Sequence, residues 1–117
     1  MVTPPKHEER AGPPEYNLDT IRQWAAERRV VYASPRVLKH IDNFGYDLDK
    51  VCECLAGLAA TDYHESVRYP DSKLWMDVYL TTHIYSESRT DELYVKLQLS
   101  TRQLVITLCS FHPEGAL

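Results

Sequence analysis

With 117 residues, 44% of them hydrophobic, the chain is long enough for one modest core and too short for two ordinary domains. Its formal net charge of −4 argues against nonspecific nucleic-acid binding, which draws on a basic excess to displace phosphate counterions, although net charge does not fix the local field of a cleft. No stretch approaches the roughly 20 apolar residues that span a bilayer, and Met1 to Gly12 is polar and Pro-rich, so a soluble, cytoplasmic domain without membrane contact is expected.

Residues 1–16 hold Pro4, Pro5, Pro13 and Pro14 and almost no apolar periodicity, which predicts a flexible tail ahead of a single domain over residues 17–117. Asn17 is a good N-cap for a first helix running to about residue 28, with Leu18, Ile21, Trp24 and Ala25 on one face. The charges at Arg22, Glu27, Arg28 and Arg29 are most simply its solvated side. Arg29–Ala33 reads as a short extended piece. Ser34-Pro35 then opens a second helix through Asn43, with Gly45 as its stop. Asp47 caps a third helix whose stripe is Leu48, Val51, Leu55 and Leu58. Cys52 and Cys54 lie on that helix as a C-x-C without a second metal-binding pair, and they are read, with Cys109, as reduced thiols that pack rather than coordinate.

Beyond Ala60 the period changes from helical to alternating. The segment Thr61–Ser72 is expected to be a polar connection carrying Asp62, His64, Glu65 and Arg68 and ending in the turn Tyr69-Pro70-Asp71-Ser72. Leu74, Met76, Val78 and Leu80 alternate with Trp75, Asp77 and Tyr79 as a half-buried strand, and a loop follows over Thr82–Asp91. A second strand alternates Leu93, Val95, Leu97 and Leu99 with Tyr94, Lys96 and Gln98. A turn around Thr101-Arg102 would set Leu99 opposite Leu104, Leu97 opposite Ile106 and Val95 opposite Leu108. One face of this hairpin then packs on the helices, and Tyr94, Lys96, Gln98, Thr107 and Cys109 form the floor of a binding site on the other. Strict alternation puts His112 on the helix side, away from Tyr94, unless a bulge or strand-end twist intervenes.

The run Trp75-Met76-Asp77-Val78-Tyr79, preceded by Asp62-Tyr63-His64-Glu65-Ser66 and followed by Leu93-Tyr94-Val95-Lys96 and Ser110-Phe111, resembles the MqsR ribonuclease toxins of bacterial toxin–antitoxin pairs over residues 17–112. The resemblance implies an α+β fold, a compact RelE-like domain with an antiparallel sheet packed against N-terminal helices. It also implies endonucleolytic cleavage of mRNA, a cognate protein antitoxin and no cofactor, and it leaves action on the ribosome open. In such enzymes the nucleotide's own 2′-hydroxyl attacks the adjacent phosphorus. The protein must orient it, take its proton, stabilise the added negative charge and protonate the leaving oxygen.

Tyr94 matches a tyrosine of the family's active site. Elsewhere the chain departs: the family's lysine in the D-[FY]-x-x-S connection is Glu65, its glutamine after the tryptophan is Met76, and its lysine after Ser-Phe is His112. Other RelE-like toxins use a glutamate, a histidine and an arginine, so Glu65 or His64 is read as base, His112 as acid and Tyr94 as the group that positions the phosphate. Arg68, Lys73 and Lys96 would add positive charge for RNA phosphates. The same residues also fit an inactive module that binds a protein or RNA without cutting. In that reading His64 and Glu65 are solvated loop residues, His112 only ends a strand, and Lys96 and Gln98 are an ordinary wet sheet face. Trp75 and Tyr79 are read as packing residues rather than base-stacking ones.

Overall fold

The structure, a computed structural model, describes residues 7–115. Its elements are β1 (Glu8–Arg10), α1 (Leu18–Ala26), β2 (Val30–Tyr32), α2 (Pro35–Asn43), α3 (Leu48–Ala56), a 3-10 turn at Ala60–Asp62, β3 (Tyr63–Arg68), β4 (Met76–Ser86), β5 (Arg89–Ser100) and β6 (Val105–Pro113). The six strands form one sheet in the order β1-β3-β4-β5-β6-β2, and the helices cover one of its faces. The architecture is α+β, as the sequence implies, though the sheet is mixed because β2 pairs parallel to β6. No helix among the described residues is long and apolar enough to cross a membrane.

The helices start where their caps stand. The Asn17 side chain accepts from the Thr20 N–H and the Asp47 side chain from the Lys50 N–H, each satisfying an amide that the first turn leaves free. Pro35 takes the first position of α2, and Gly45, at φ +83°, follows its end. α1 stops at Ala26, short of residue 28. Arg28 turns left-handed at φ 59°, so its N–H bonds the Ala25 carbonyl and that of Arg29 bonds Trp24. Ile21 and Ala25 of α1, Val37 and Ile41 of α2, and Val51 and Leu55 of α3, with Leu58 just beyond, close over Tyr79, Leu93, Val95, Leu97, Ile106, Leu108 and Phe111. Cys52 and Cys54 are free and buried, and burial pushes the Cys54 thiol up to about 12.

Three segments differ from expectation. Glu8–Arg10, read as part of a flexible tail, pairs antiparallel with β3, and residues 1–6 of that tail lie outside the described residues. The fully buried Asp77 carboxylate accepts from the backbone N–H groups of Glu15 (3.0 Å) and Tyr16 (2.9 Å) and from the Ser66 hydroxyl (2.6 Å), so it holds this stretch to the sheet. Thr61–Ser72, read as a connection, contains β3, whose inward residues Tyr63 and Ser66 are joined by a 2.6 Å hydroxyl bond; the buried side is polar and hides the alternation. Thr82–Asp91, read as a loop, is the distal part of a long β4–β5 hairpin. There Tyr46 Oη donates to Asp91 (2.8 Å) and meets His83 Nδ1 (3.0 Å), and the Arg89 guanidinium lies over Phe44 and Tyr85.

The β5–β6 register also departs from the expected pairs. The connection takes four residues, Thr101–Leu104, with Leu104 left-handed at φ 57° and its N–H bonded to the Ser100 carbonyl. Leu99 therefore meets Ile106 and Leu97 meets Leu108, a slip of two that keeps the expected faces. Farther on, Lys96 meets Ser110, so Cys109 is an extra residue, a β-bulge. Past it Phe111 points into the core opposite Val95, and His112 stands opposite Tyr94 on the outer face.

Two outcomes follow. Phe111→Ala is expected to cost about 4 kcal/mol in urea denaturation, in the range for emptying a buried aromatic site. Deletion of Cys109, which regularises the ladder and keeps Phe111 inward, is expected to cost less. Burial holds His83 below its ordinary pKa, its Nε2 having no hydrogen-bond partner. The unfolded chain then takes up a proton near pH 6.5 that the native state binds only at lower pH, so stability rises with pH across that window and is lost on acidification through it. Between pH 7.5 and 5.5 the denaturation midpoint is expected to fall further for the parent than for His83→Gln; equal falls would reject the assignment.

Candidate active site

The outer face of the sheet is ordered by pairing. Directly opposed residues share a side, so Glu65, Val78, Lys96 and Ser110 form one cross-strand row and Leu80, Tyr94 and His112 form the next. Val67, Met76 and Val78 pack beneath this face with Leu80, Tyr94 and Cys109 beside them, a small second core that stiffens the floor. The outer wall comes from elsewhere. β2 adds to the far side of β6, and α2, which follows it, packs against β6 and brings Arg36 and His40 over the end of the strand.

Between them lies a cavity of about 710 Å³, lined by Ser34, Arg36 and His40 from α2 and its cap, Tyr69 from the β3–β4 connection, Tyr94 and Lys96 from β5, and Cys109, Ser110 and His112 from β6. The charged side chains on its walls, Arg36 and Lys96, are both basic, and no Asp or Glu lines it. A protein that is acidic as a whole thus presents a basic cavity.

Contacts fix most of these groups. The His112 ring stacks on Tyr94, with centroids 5.0 Å apart and planes 8° from parallel, and His40 meets His112 edge to face at 6.2 Å. His112 Nδ1 is 2.9 Å from the Pro113 carbonyl, an acceptor only, so Nδ1 carries the proton and Nε2 is the free nitrogen. Lys96 Nζ donates to Tyr69 Oη at 2.9 Å and lies over that ring. Burial first, then the neighbouring Tyr69, Glu65 and Glu9, pushes the Tyr94 phenol above its ordinary value, which keeps it a hydrogen-bond donor at neutral pH. Such an array can hold a phosphate with two cations and a phenol and offers two imidazoles for proton transfer.

Of the residues singled out in the sequence, Tyr94, His112 and Lys96 meet in this cavity. Glu65 shares the sheet face but sits two strands from Lys96, about 10 Å at ordinary strand spacing, and is not among the lining residues. His64 is exposed at the point where β3 shifts register, between Tyr63 opposite Tyr79 and Glu65 opposite Val78. Arg68 alternates with Val67, so it leaves the outer face; it donates to Glu8 at 2.6 Å and lies against Trp75. Lys73 is exposed on the β3–β4 connection, outside the cavity. Trp75 is held between Arg68 and Arg10, and Tyr79 is buried in the main core, so both pack, as expected. Arg36 and His40 went unnoticed, and Tyr69 was read only as part of a turn. The readable signal was Arg36 and His40 at i and i+4, which share one helix face.

A second opening of about 620 Å³ adjoins the first, lined by Leu74, Gln98, Leu99, Thr107 and the β5–β6 turn with Arg102. Lys96 in the first and Gln98 in the second are two residues apart on one side of β5, a span of about 7 Å. Among the described residues no three His, Cys, Asp or Glu side chains are grouped as a metal site requires.

Over 71 residues the chain is 28% identical to the mRNA interferase toxin MqsR of Escherichia coli (strain K12), covering 60% of this chain and 67% of that protein. The family described as motility quorum-sensing regulator, toxin of MqsA, matches residues 13–113, a span that takes in α2, β5 and β6 and with them three walls of the cavity. The chain belongs to that family, the motility quorum-sensing regulators that are toxins of MqsA.

Proposed function

We propose that this chain is the toxin of a toxin–antitoxin pair and an endoribonuclease that cuts mRNA by attack of the 2′-hydroxyl on the neighbouring phosphodiester, without a metal. One observation carries the reading: a cavity of about 710 Å³ in a net-acidic protein is walled by Arg36, Lys96, His40, His112 and Tyr94, a set suited to a phosphodiester and to proton transfer. The relative's name, mRNA interferase toxin, points the same way. The openings along β5 add an extended track, and the half-buried amide and hydroxyl groups of Gln98 and Thr107 line it, where they can meet the edges of unpaired bases. The partner is a protein antitoxin, by analogy with the family's pairing to MqsA.

In this reaction His112, through Nε2, handles a proton at the reacting phosphodiester, Tyr94 donates to a phosphoryl oxygen, and Lys96 and Arg36 offset the charge that develops there. Glu65 acts from the rim on the local field. His64, Arg68 and Lys73 have no part in the chemical step. A second reading, a module that binds RNA or a protein without cutting, is favoured by Met76, which fills its place beneath the face with an apolar side chain where the family resemblance expects a glutamine.

Purified protein incubated with a defined RNA in EDTA separates the two. Cleavage that persists in chelator is expected, with His112→Ala lowering the rate about 100-fold or more, the scale of a lost proton-transfer group. Tyr94→Phe is expected to lower it about 10-fold and Glu65→Gln by less. A 100-fold loss in Glu65→Gln would return the base to that residue. No cleavage by the folded parent, on free RNA or on translating ribosomes, would reject the nuclease in favour of the binding module.

A further inference from the structure

Two imidazoles from different halves of the chain meet edge to face in the cavity. His112 is carried by β6 and His40 by α2, with ring centroids 6.2 Å apart and planes at 86°. The transesterification proposed above, on which this inference rests, needs one group that accepts a proton and another that gives one, on opposite sides of a phosphorus atom. Both rings line one cavity, so a phosphodiester bound in it can meet a nitrogen of each without passing between them. Glu65, the carboxylate that the sequence suggested as base, stands about two strand spacings from the cavity's Lys96.

Their surroundings divide the labour. His112 is clamped: Tyr94 stacks on its ring and its Nδ1–H donates to the Pro113 carbonyl, so Nε2 is the nitrogen left for substrate. His40 stands in the last turn of α2, one turn from Arg36 on the same helix face, and among the described residues no stacking partner or carbonyl clamps its ring as Tyr94 and Pro113 clamp that of His112. Among the described residues, the other titratable or charged groups lining the cavity with the pair are Arg36 from α2, Tyr69 from the β3–β4 connection, Tyr94 and Lys96 from β5, and Cys109 from β6. None of these is a carboxylate; Glu65 and Glu9 act on Tyr94 from outside the wall.

We infer that His112 and His40 are the base and the acid of the cleavage, His112 taking the 2′-hydroxyl proton on Nε2 as His40 gives its proton to the departing 5′-oxygen. The bond from O2′ to phosphorus forms, the bond from phosphorus to O5′ breaks, and the products are a 2′,3′-cyclic phosphate and a 5′-hydroxyl. The two rings end with their protonation exchanged, and solvent resets them. This reverses the part expected of His112 from sequence and gives the acid to a residue that the sequence reading passed over.

The roles separate chemically. A cleavage site mapped with the parent is resynthesised with sulfur in place of the bridging 5′-oxygen, a leaving group that departs without protonation. On ordinary RNA, His40→Ala, His40→Gln and His112→Ala are each expected to lose about 100-fold or more. On the sulfur-bridged RNA both His40 variants recover to near the parent's rate and His112→Ala does not. Circular dichroism and thermal midpoints matching the parent show that the variants are folded; His40 is only partly buried, so its truncation spares the core. The assignment is overturned if the His40 variants cleave ordinary RNA at the parent's rate, if they lose equally on both substrates, or if His112→Ala is the one rescued. A parent that cleaves neither RNA overturns the nuclease reading itself, which is a different result from an active parent indifferent to His40.

Discussion

Cys109 decides which side of the sheet the end of β6 shows. Leu108 and Phe111 both point into the core and are three residues apart, a spacing that an uninterrupted strand with a period of two cannot satisfy. The bulge absorbs the odd residue, and its energetic source is the burial of Phe111, which fills the space beside Tyr46 and opposite Val95. With Phe111 committed inward, His112 must face outward, where Tyr94 is waiting to stack on it. A packing requirement on one face of the sheet thus sets the chemistry available on the other.

The cavity is also a meeting of segments distant in sequence. α2 reaches it only because β2 lies parallel to β6, with Val30 opposite Ile106 and Tyr32 opposite Leu108, and the chain then turns at Ser34-Pro35 back over the strand end. On the opposite edge, Asp77 ties Glu15 and Tyr16 to the sheet. Glu9, opposite Val67, reaches the same outer face as Tyr94, so acidic groups stand near the cavity but do not line it.

What could be read from the sequence follows where the signal was local. The three helices are marked by their caps, Asn17, Ser34-Pro35 and Asp47, and by stripes such as Val51, Leu55 and Leu58, and all three form. The alternation of Leu93, Val95 and Leu97 gives β5 its faces and puts Tyr94 and Lys96 outward. β3 was missed because its inward side chains, Tyr63 and Ser66, bond to one another and to Asp77, so polarity no longer reports exposure. The far β4–β5 hairpin was missed for the same reason, with His83 and Tyr85 held by Tyr46 and Arg89 rather than by apolar packing. Tyr94 and Lys96 were legible on a strand pattern, whereas strict alternation put His112 on the helix side and only the bulge at Cys109 brings it opposite Tyr94. Arg36 and His40 belong to a wall that exists only through the parallel β2–β6 pairing, a contact between residues more than seventy positions apart, and no local pattern encodes it.

The order in which the chain is made gives that pairing a biological consequence. Translation delivers α2 early and β5 much later, and β6, which carries His112 and is the strand that β2 must join, comes after both. Until residue 112 has left the ribosome, Arg36 and His40 have no strand to lean on and Tyr94 has no imidazole above it. The walls of the cavity therefore come together only when synthesis of β6 is complete.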